Sequence, residues 1–319
     1  MTIDAALESG IFLNYVIIAV TLLLIAGVAL ALLTALGKNV SSIWNTYRGW
    51  LVMAPIAIGA VFLGREAFIV GIALLAIAGF KEYARATGLY DDWWMIGIVY
   101  LGIVLLAAAS LIEDPRLGYD GWYGLFMAIP AYVIGAILLV PIFQNQSRGS
   151  LQRIALAIVG FMYFGWMFSH LGFLANAEHA YGYVLYLLFA VGLNDIAAFT
   201  SGKLFGKRKL RENISPNKTV EGAIGAIVFS LCLAWALSFS FPDFAAWELV
   251  ATGLIVGIGG QLGDLVISYI KRDVGIKDMG AVIKGHGGIL DRVDSRIFVA
   301  PVFFHVVRWL HGLREVAPV

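Results

Sequence analysis

Along this chain, long apolar runs alternate with short polar interruptions. A helix that spans a bilayer needs about 20 mostly apolar residues. Ten segments approach that pattern: 12–36, 49–63, 66–80, 93–112, 123–143, 151–173, 181–202, 219–241, 248–270 and 295–313. The second and third are short and closely spaced, so they also fit one bent element. The expectation is an all-α, polytopic integral membrane protein with about ten transmembrane helices. Residues 12–36 invite a signal-peptide reading. The run is too long for a signal core, and Asp4 and Glu8 precede it where a basic stretch belongs, so a retained helix is expected.

Composition agrees. Of 319 residues, 61% are hydrophobic, where soluble domains carry about 45–50%, and the mean hydropathy is +0.86. A water-soluble fold is excluded. The single cysteine, Cys232, rules out an intramolecular disulfide and a cysteine-cluster metal site. Lying in an apolar run, it is expected to be inert packing.

The net charge of +1 is uninformative, but the placement of charge is not. If the N-terminus faces out, the cytoplasmic loops hold Lys38, Arg48, Lys81, Arg85, Arg148 and Arg153. Six more Lys and Arg lie in 203–218 and another six in 271–296. The opposite side keeps only Arg65, Arg116, Arg308 and Arg314. That bias fixes the expected orientation. Outer loops carry acids instead, and Trp93, Trp94, Trp122 and Trp247 fall at expected membrane interfaces.

Residues 268–294 hold nine charged side chains, a strong local excess in a chain only 13% charged. Asp264, Ser268, Lys271 and Arg272 follow helical spacing and share one face. A carboxylate two turns inside an apolar segment costs roughly 2.5–3.5 kcal/mol on insertion. Asp264 is therefore expected to face a cation, a metal or a wet cavity; the plainer reading is a buried ion pair. Asp291 and Asp294, with Arg292 between them, follow the turn Gly285-His286-Gly287-Gly288. Cations, carboxylates and exposed glycine amides suit a polyphosphate site, and hard oxygens suit Mg²⁺. The bland alternative, a solvated loop that sets topology, explains Lys277 and Lys284 but not glycines and acids together. His286 reads as shaping the turn or touching phosphate more than as a base. His170, His179, His305 and His311 show no partner pattern and read as packing or interface residues.

A second constellation spans 194–221. Asn194 and Asp195 lie inside a span, and Asp195, Phe199 and Lys203 share a face. Then come a basic loop and Ser215-Pro216-Asn217-Lys218-Thr219, with Glu221 opening the next span. Lys207, Arg208, Lys209 and Arg211 read as topology determinants or contacts to anionic headgroups. Asp195, Asn217 and Lys218 read as site residues. The Walker spacing is missing, which counts against an ordinary NTPase. Gln261 and Asn14 read as interhelical hydrogen-bond partners, and Gly253, Gly257, Gly259 and Gly260 as close helix packing.

Residues 268–294 resemble the signature of the phosphatidate cytidylyltransferases, or CDP-diacylglycerol synthases. The matching positions are Ser268, Ile270, Lys271 and Arg272; Lys277 and Asp278; His286, Gly287 and Gly288; and Asp291, Arg292, Val293 and Asp294. Lys284 departs from the family's usual Pro, Gly or Ser. Asn194, Asp195, Lys203, Ser215, Asn217, Lys218 and Glu221 resemble upstream family motifs, and Arg48, Pro55 and Glu82-Tyr83 resemble its N-terminal helices. The likeness covers roughly residues 45–312 and implies a nine-helix core, residues 41–319, preceded by an added helix in 1–40.

The resemblance implies transfer of CMP from CTP to phosphatidate, with Mg²⁺ held by Asp264 and Asp291 and K⁺ assisting in some members. It implies catalytic roles for Asp264, Lys271, Arg272, Asp278, His286, Asp291, Arg292 and Asp294. Substrate contacts would come from Asn194, Asp195, Lys203, Ser215, Asn217, Lys218, Glu221, Ser268, Lys277, Gly287 and Gly288. It also implies a homodimer in the cytoplasmic membrane, with the site facing the cytoplasm and no nucleic-acid partner. Two rivals remain at this stage: a CTP-dependent enzyme with another lipid acceptor, and an anionic-solute transporter using Asp195 and Asp264.

Overall fold

The computed structural model describes residues 1–116, 118–146, 148–277, 279, 288 and 290–311. A short α1 (Ile3–Glu8) leads into α2 (Gly10–Ala35), α3 (Ser41–Phe62), α4 (Arg65–Ala86), α5 (Trp93–Leu111) and α6 (Tyr123–Phe143). The next span is composite: α7 (Leu151–Gly160), a π-helical stretch Phe161–Met167, and α8 (Phe168–Phe173). Then follow α9 (Ala180–Phe205), a hairpin of β1 (Lys209–Arg211) and β2 (Ser215–Thr219), α10 (Val220–Ala236), α11 (Ala246–Asp273) and α12 (Leu290–His311).

The described part of each of the ten apolar segments is largely helix, and the chain is an all-α, multi-pass membrane protein. Among the described residues, seven helices are long and apolar enough to cross a membrane. The α7–α8 span counts as one of the seven; α3, α10 and α12 fall outside them. Helix α10 has 17 residues, while α3 and α12 open on polar stretches, residues 41–48 and 290–296. Prolines 55, 130, 141 and 301 sit inside helices, as neighbouring helices in a membrane allow.

Contacts between helix ends sort the loops into two sets, as the charge bias predicts. At the charged end, Arg153 pairs with Asp92 at 3.0 Å and Tyr83 donates to the Leu156 carbonyl at 3.2 Å. At the other end, Arg65 reaches Asn176 at 2.7 Å, the Leu111 carbonyl at 2.6 Å and Asp120 at 3.2 Å. His179 meets Asp243 there at 2.8 Å, and His311 meets Glu248 at 3.1 Å.

The core is aromatic, with Phe80, Phe126, Phe161, Phe164, Phe303 and Phe304 nearly inaccessible. Helix α2 stays peripheral: 11% of its apolar window is buried, against 39–56% in the other six spans. Its inner face is tied by a 2.8 Å hydrogen bond between Tyr15 and Ser240.

Helix α11 packs through glycine. A Cβ at Gly253 would lie 2.8 Å from Leu231 Cα, and one at Gly257 would lie 2.9 Å from Ile227 Cα. Small residues let backbones approach in membranes, as expected for this stretch. One other expectation needs correction. Cys232 is exposed on the outer face of α10, not packed inside. His170 packs in the core as expected, with Nδ1 2.8 Å from the Trp166 carbonyl and Nε2 3.2 Å from His305.

Candidate active site

The last turns of α11 run alongside the start of α12, and the β-hairpin closes over them. Within α11, Ser268 donates to Asp264 at 3.2 Å, realising the shared face predicted from spacing. The other Asp264 oxygen lies 2.7 Å from the ammonium of Lys218 on β2. The hairpin brings Lys218 there. Glu221, in the first turn of α10, accepts the backbone N–H groups of Lys207 and Arg208 at 3.0 and 3.1 Å. Lys209 donates to the Pro216 carbonyl at 2.6 Å, and Thr219 caps α10 by accepting from Gly222 N–H at 3.1 Å.

A second ion pair lies beside the first. Lys271 meets Asp291 at 2.8 Å, with both side chains 13% exposed. The other Asp291 oxygen accepts the Gly288 N–H at 3.0 Å. A carboxylate in the first helical turn is favourably placed against the unpaired amides there. Glu82, buried at the end of α4, accepts the Leu290 N–H at 3.0 Å. A Cβ at position 288 would push the Glu82 carboxylate aside, away from the Leu290 N–H. Glu82→Ala should remove an acceptor from a buried amide and destabilise the protein by about 1–3 kcal/mol. Thermal unfolding in detergent would show this as a lower apparent Tm.

Beneath these pairs, Asp195, Asp264 and Asp294 act on one another electrostatically, with Lys218, Lys271 and Arg296 as nearby cations. Ser295 Oγ stands 3.5 Å from both Asp195 oxygens, and Asp294 accepts from the Ser295 N–H at 2.7 Å. Arg296 donates to the Arg292 and Leu188 carbonyls at 2.6 and 3.1 Å. Tyr163 reaches the same crossing, 3.4 Å from the Gly263 carbonyl and 3.5 Å from that of Asp294.

The structure thus brings together Asp195, Lys218, Asp264, Ser268, Lys271, Gly288, Asp291 and Asp294. Arg292 lies on the first turn of α12 with them. Other sequence candidates stand differently. Asn194 is fully buried and spends its amide on neighbouring helices, so it reaches a substrate only through other residues. Glu221 holds the hairpin backbone. Arg272 donates to the Ile214 and Ile276 carbonyls at 3.3 and 3.4 Å, bracing the hairpin against the end of α11. Lys203, Asn217 and Lys277 are exposed and Ser215 is half-buried. Asp278, Lys284, His286 and Gly287 lie outside the described residues.

Among the described residues, no three His, Cys, Asp or Glu side chains converge closely enough to hold a metal ion alone. Mg²⁺ asks for less, using one or two carboxylates and completing its shell with water and substrate phosphate. Asp264 and Asp291 are hard oxygen donors that fit that requirement, each now held by a lysine.

Comparison with known proteins bears on what this arrangement does. A family model described as the cytidylyltransferase family matches residues 44–310, nearly the whole chain after α2. The chain belongs to the cytidylyltransferase family. A phosphatidate cytidylyltransferase of Staphylococcus saprophyticus is 41% identical over 231 residues, covering 72% of this chain and 85% of the relative. One from Staphylococcus haemolyticus is 35% identical over 255 residues, covering 79% and 92%. An Escherichia coli K12 protein known as uncharacterized protein YnbB is 30% identical over 244 residues, covering 74% and 78%.

Within this cytidylyltransferase, the sequence pattern assigned no role to Tyr163 or Ser295 and placed Arg296 only among the cytoplasmic-loop cations. Arg296, a cation in an apolar span, was the available signal. Lys207 lends the site only its backbone N–H, while its side chain is exposed. Lys207→Ala should therefore leave turnover within about twofold of wild type, since surface changes of this kind stay near ±0.5 kcal/mol.

Proposed function

We infer that this protein transfers CMP from CTP to phosphatidate, giving CDP-diacylglycerol and pyrophosphate for phospholipid biosynthesis, at the cytoplasmic face of the cell membrane. The observation that carries this reading is the side-by-side placement of Lys218–Asp264 and Lys271–Asp291 at the basic end of a membrane helix bundle. Relatives named phosphatidate cytidylyltransferase at 35% and 41% identity support the choice of substrates. The Lys and Arg bias of that end supports its cytoplasmic orientation.

The chemistry asks mainly for positioning and charge neutralisation. An anionic phosphate oxygen of the lipid attacks the α-phosphorus of CTP. The new P–O bond forms as the bond to the bridging oxygen of the β-phosphate breaks, and pyrophosphate leaves with that electron pair. The nucleophile is already ionised, so no general base is required. Lys218 and Lys271 stand where they can exchange a carboxylate partner for a phosphate oxygen. Their Asp264 and Asp291 partners would hold Mg²⁺, which when bound neutralises triphosphate charge. Lys218 belongs to the hairpin, so nucleotide phosphates bind between hairpin and helix ends, and the lipid phosphate enters from the bilayer edge.

Purified protein supplied with phosphatidate, CTP and Mg²⁺ should release pyrophosphate and form CDP-diacylglycerol. Absence of release, while a staphylococcal relative works under the same conditions, would overturn this reading. A panel of other lipid phosphates and lipid alcohols tests the acceptor.

A further inference from the structure

A buried polar chain that the chemistry above does not use leads up to Lys218. Asn194 on α9 donates from Nδ2 to Ser230 Oγ on α10 at 2.8 Å and to the Ala226 carbonyl at 3.3 Å. Gln261 on α11 donates from Nε2 to Asn194 Oδ1 at 2.8 Å. Lys218 donates to Gln261 Oε1 at 3.2 Å and to the Gln261 carbonyl at 3.4 Å. Asn194 and Ser230 are 0% exposed and Gln261 is 6% exposed.

The polarity of this chain follows from one group. An ammonium can only donate, so Gln261 must turn Oε1 toward Lys218. Its Nε2 then faces Asn194, which must offer oxygen, leaving Nδ2 for Ser230 and Ala226. Each amide has one satisfied orientation. Gly260 makes room, since a Cβ there would sit 2.9 Å from Asn194 Oδ1. Among the described residues, the Lys218 ammonium meets the Asp264 carboxylate at 2.7 Å and two Gln261 oxygens, at 3.2 and 3.4 Å. If a phosphate oxygen displaces Asp264, Gln261 is what still fixes the ammonium in place.

We propose that Gln261 is a positioning residue that holds the Lys218 ammonium ready for a nucleotide phosphate, anchored in turn by Asn194 and Ser230. The proposal rests on the function inferred above, and it gives Asn194 an indirect role in place of substrate contact. An apolar side chain of similar size would pack the three helices but leave Lys218 only the backbone carbonyl of position 261.

The test is a pair of variants with two readouts. In Gln261→Leu the KM for CTP should rise at least about tenfold, the worth of a hydrogen bond to a charged group. The KM for phosphatidate should not move. In the ligand-free protein, acetylation of Lys218 by acetic anhydride, read by peptide mass spectrometry against Lys271, should speed up by about threefold. Gln261→Glu keeps an acceptor toward Lys218 and should restore slow labelling. Ser230→Ala, at the far end of the chain, should shift both readouts the same way by a smaller amount, and it stands in should Gln261→Leu fail to fold. Wild-type labelling and wild-type CTP KM in Gln261→Leu would overturn the proposal, as would labelling of Gln261→Glu as fast as that of Gln261→Leu. Failure of the wild type to use CTP would overturn the inferred function and with it the phosphate role of Lys218. The labelling ratio would still report separately whether Gln261 restrains the ammonium.

Discussion

Asp264→Asn should lower CTP-dependent pyrophosphate release by about two to three orders of magnitude, the usual loss when a preorganised electrostatic group is removed. Folding should survive. Removing a carboxylate from an apolar segment favours insertion, and the amide still accepts from Ser268, now 3.2 Å away. The change falls on charge. Lys218 loses its 2.7 Å counter-ion and the site loses one of two carboxylates suited to Mg²⁺. Asp291→Asn should act similarly through Lys271, with the Gly288 N–H still offered an acceptor. Steady-state rates beside size-exclusion profiles check both. Full turnover in either variant, with a normal profile, refutes its assignment as a metal ligand.

Gly263→Val should be nearly as damaging without touching any charge. A Cβ at this position would lie 2.8 Å from Ser295 Cα, 2.9 Å from the Asp294 carbonyl and 3.0 Å from Phe298 Cβ. Two of the three obstacles are backbone atoms, so α11 and α12 must part. That separation displaces Asp264 from Asp294 and strains the Lys271–Asp291 pair at the helix ends. A shift of about 1 Å can cost about 100-fold in rate, and overpacking costs about 1–3 kcal/mol. Gly71→Val is the control, because nothing lies within 4 Å of a Cβ there. Turnover and apparent Tm should both fall for position 263 and hold for position 71. Equal behaviour of the two variants would show that the crossing does not set the site.

Much of this was readable from sequence, for identifiable reasons. Apolar runs mark helices because an unpaired backbone is costly in lipid, and the described part of each of the ten segments is largely helical. The face shared by Asp264 and Ser268 follows from helical spacing alone. What periodicity could not give was which side of an apolar helix faces inward. Lipid and protein core are both apolar, so Cys232 looked buried and is exposed. Contacts between distant segments were equally hidden. Glu82 meets Leu290 across 208 positions, and Gln261 meets Asn194 across 67. Asn194 looked like a ligand contact because a polar residue in a span invites that reading, whereas its partners are three other helical residues.

The π-helical stretch Phe161–Met167 amounts to one surplus residue absorbed in place. Were it spread along the span, α8 would rotate by about 100° relative to α7. Either Tyr163 would leave the Gly263–Asp294 crossing or His170 would leave His305. Both are kept because the widened turn takes up the mismatch. Differences in length within this span can therefore be accommodated in those seven residues, while a gain or loss of one residue in α7 or α8 would turn one packed face away from its partner.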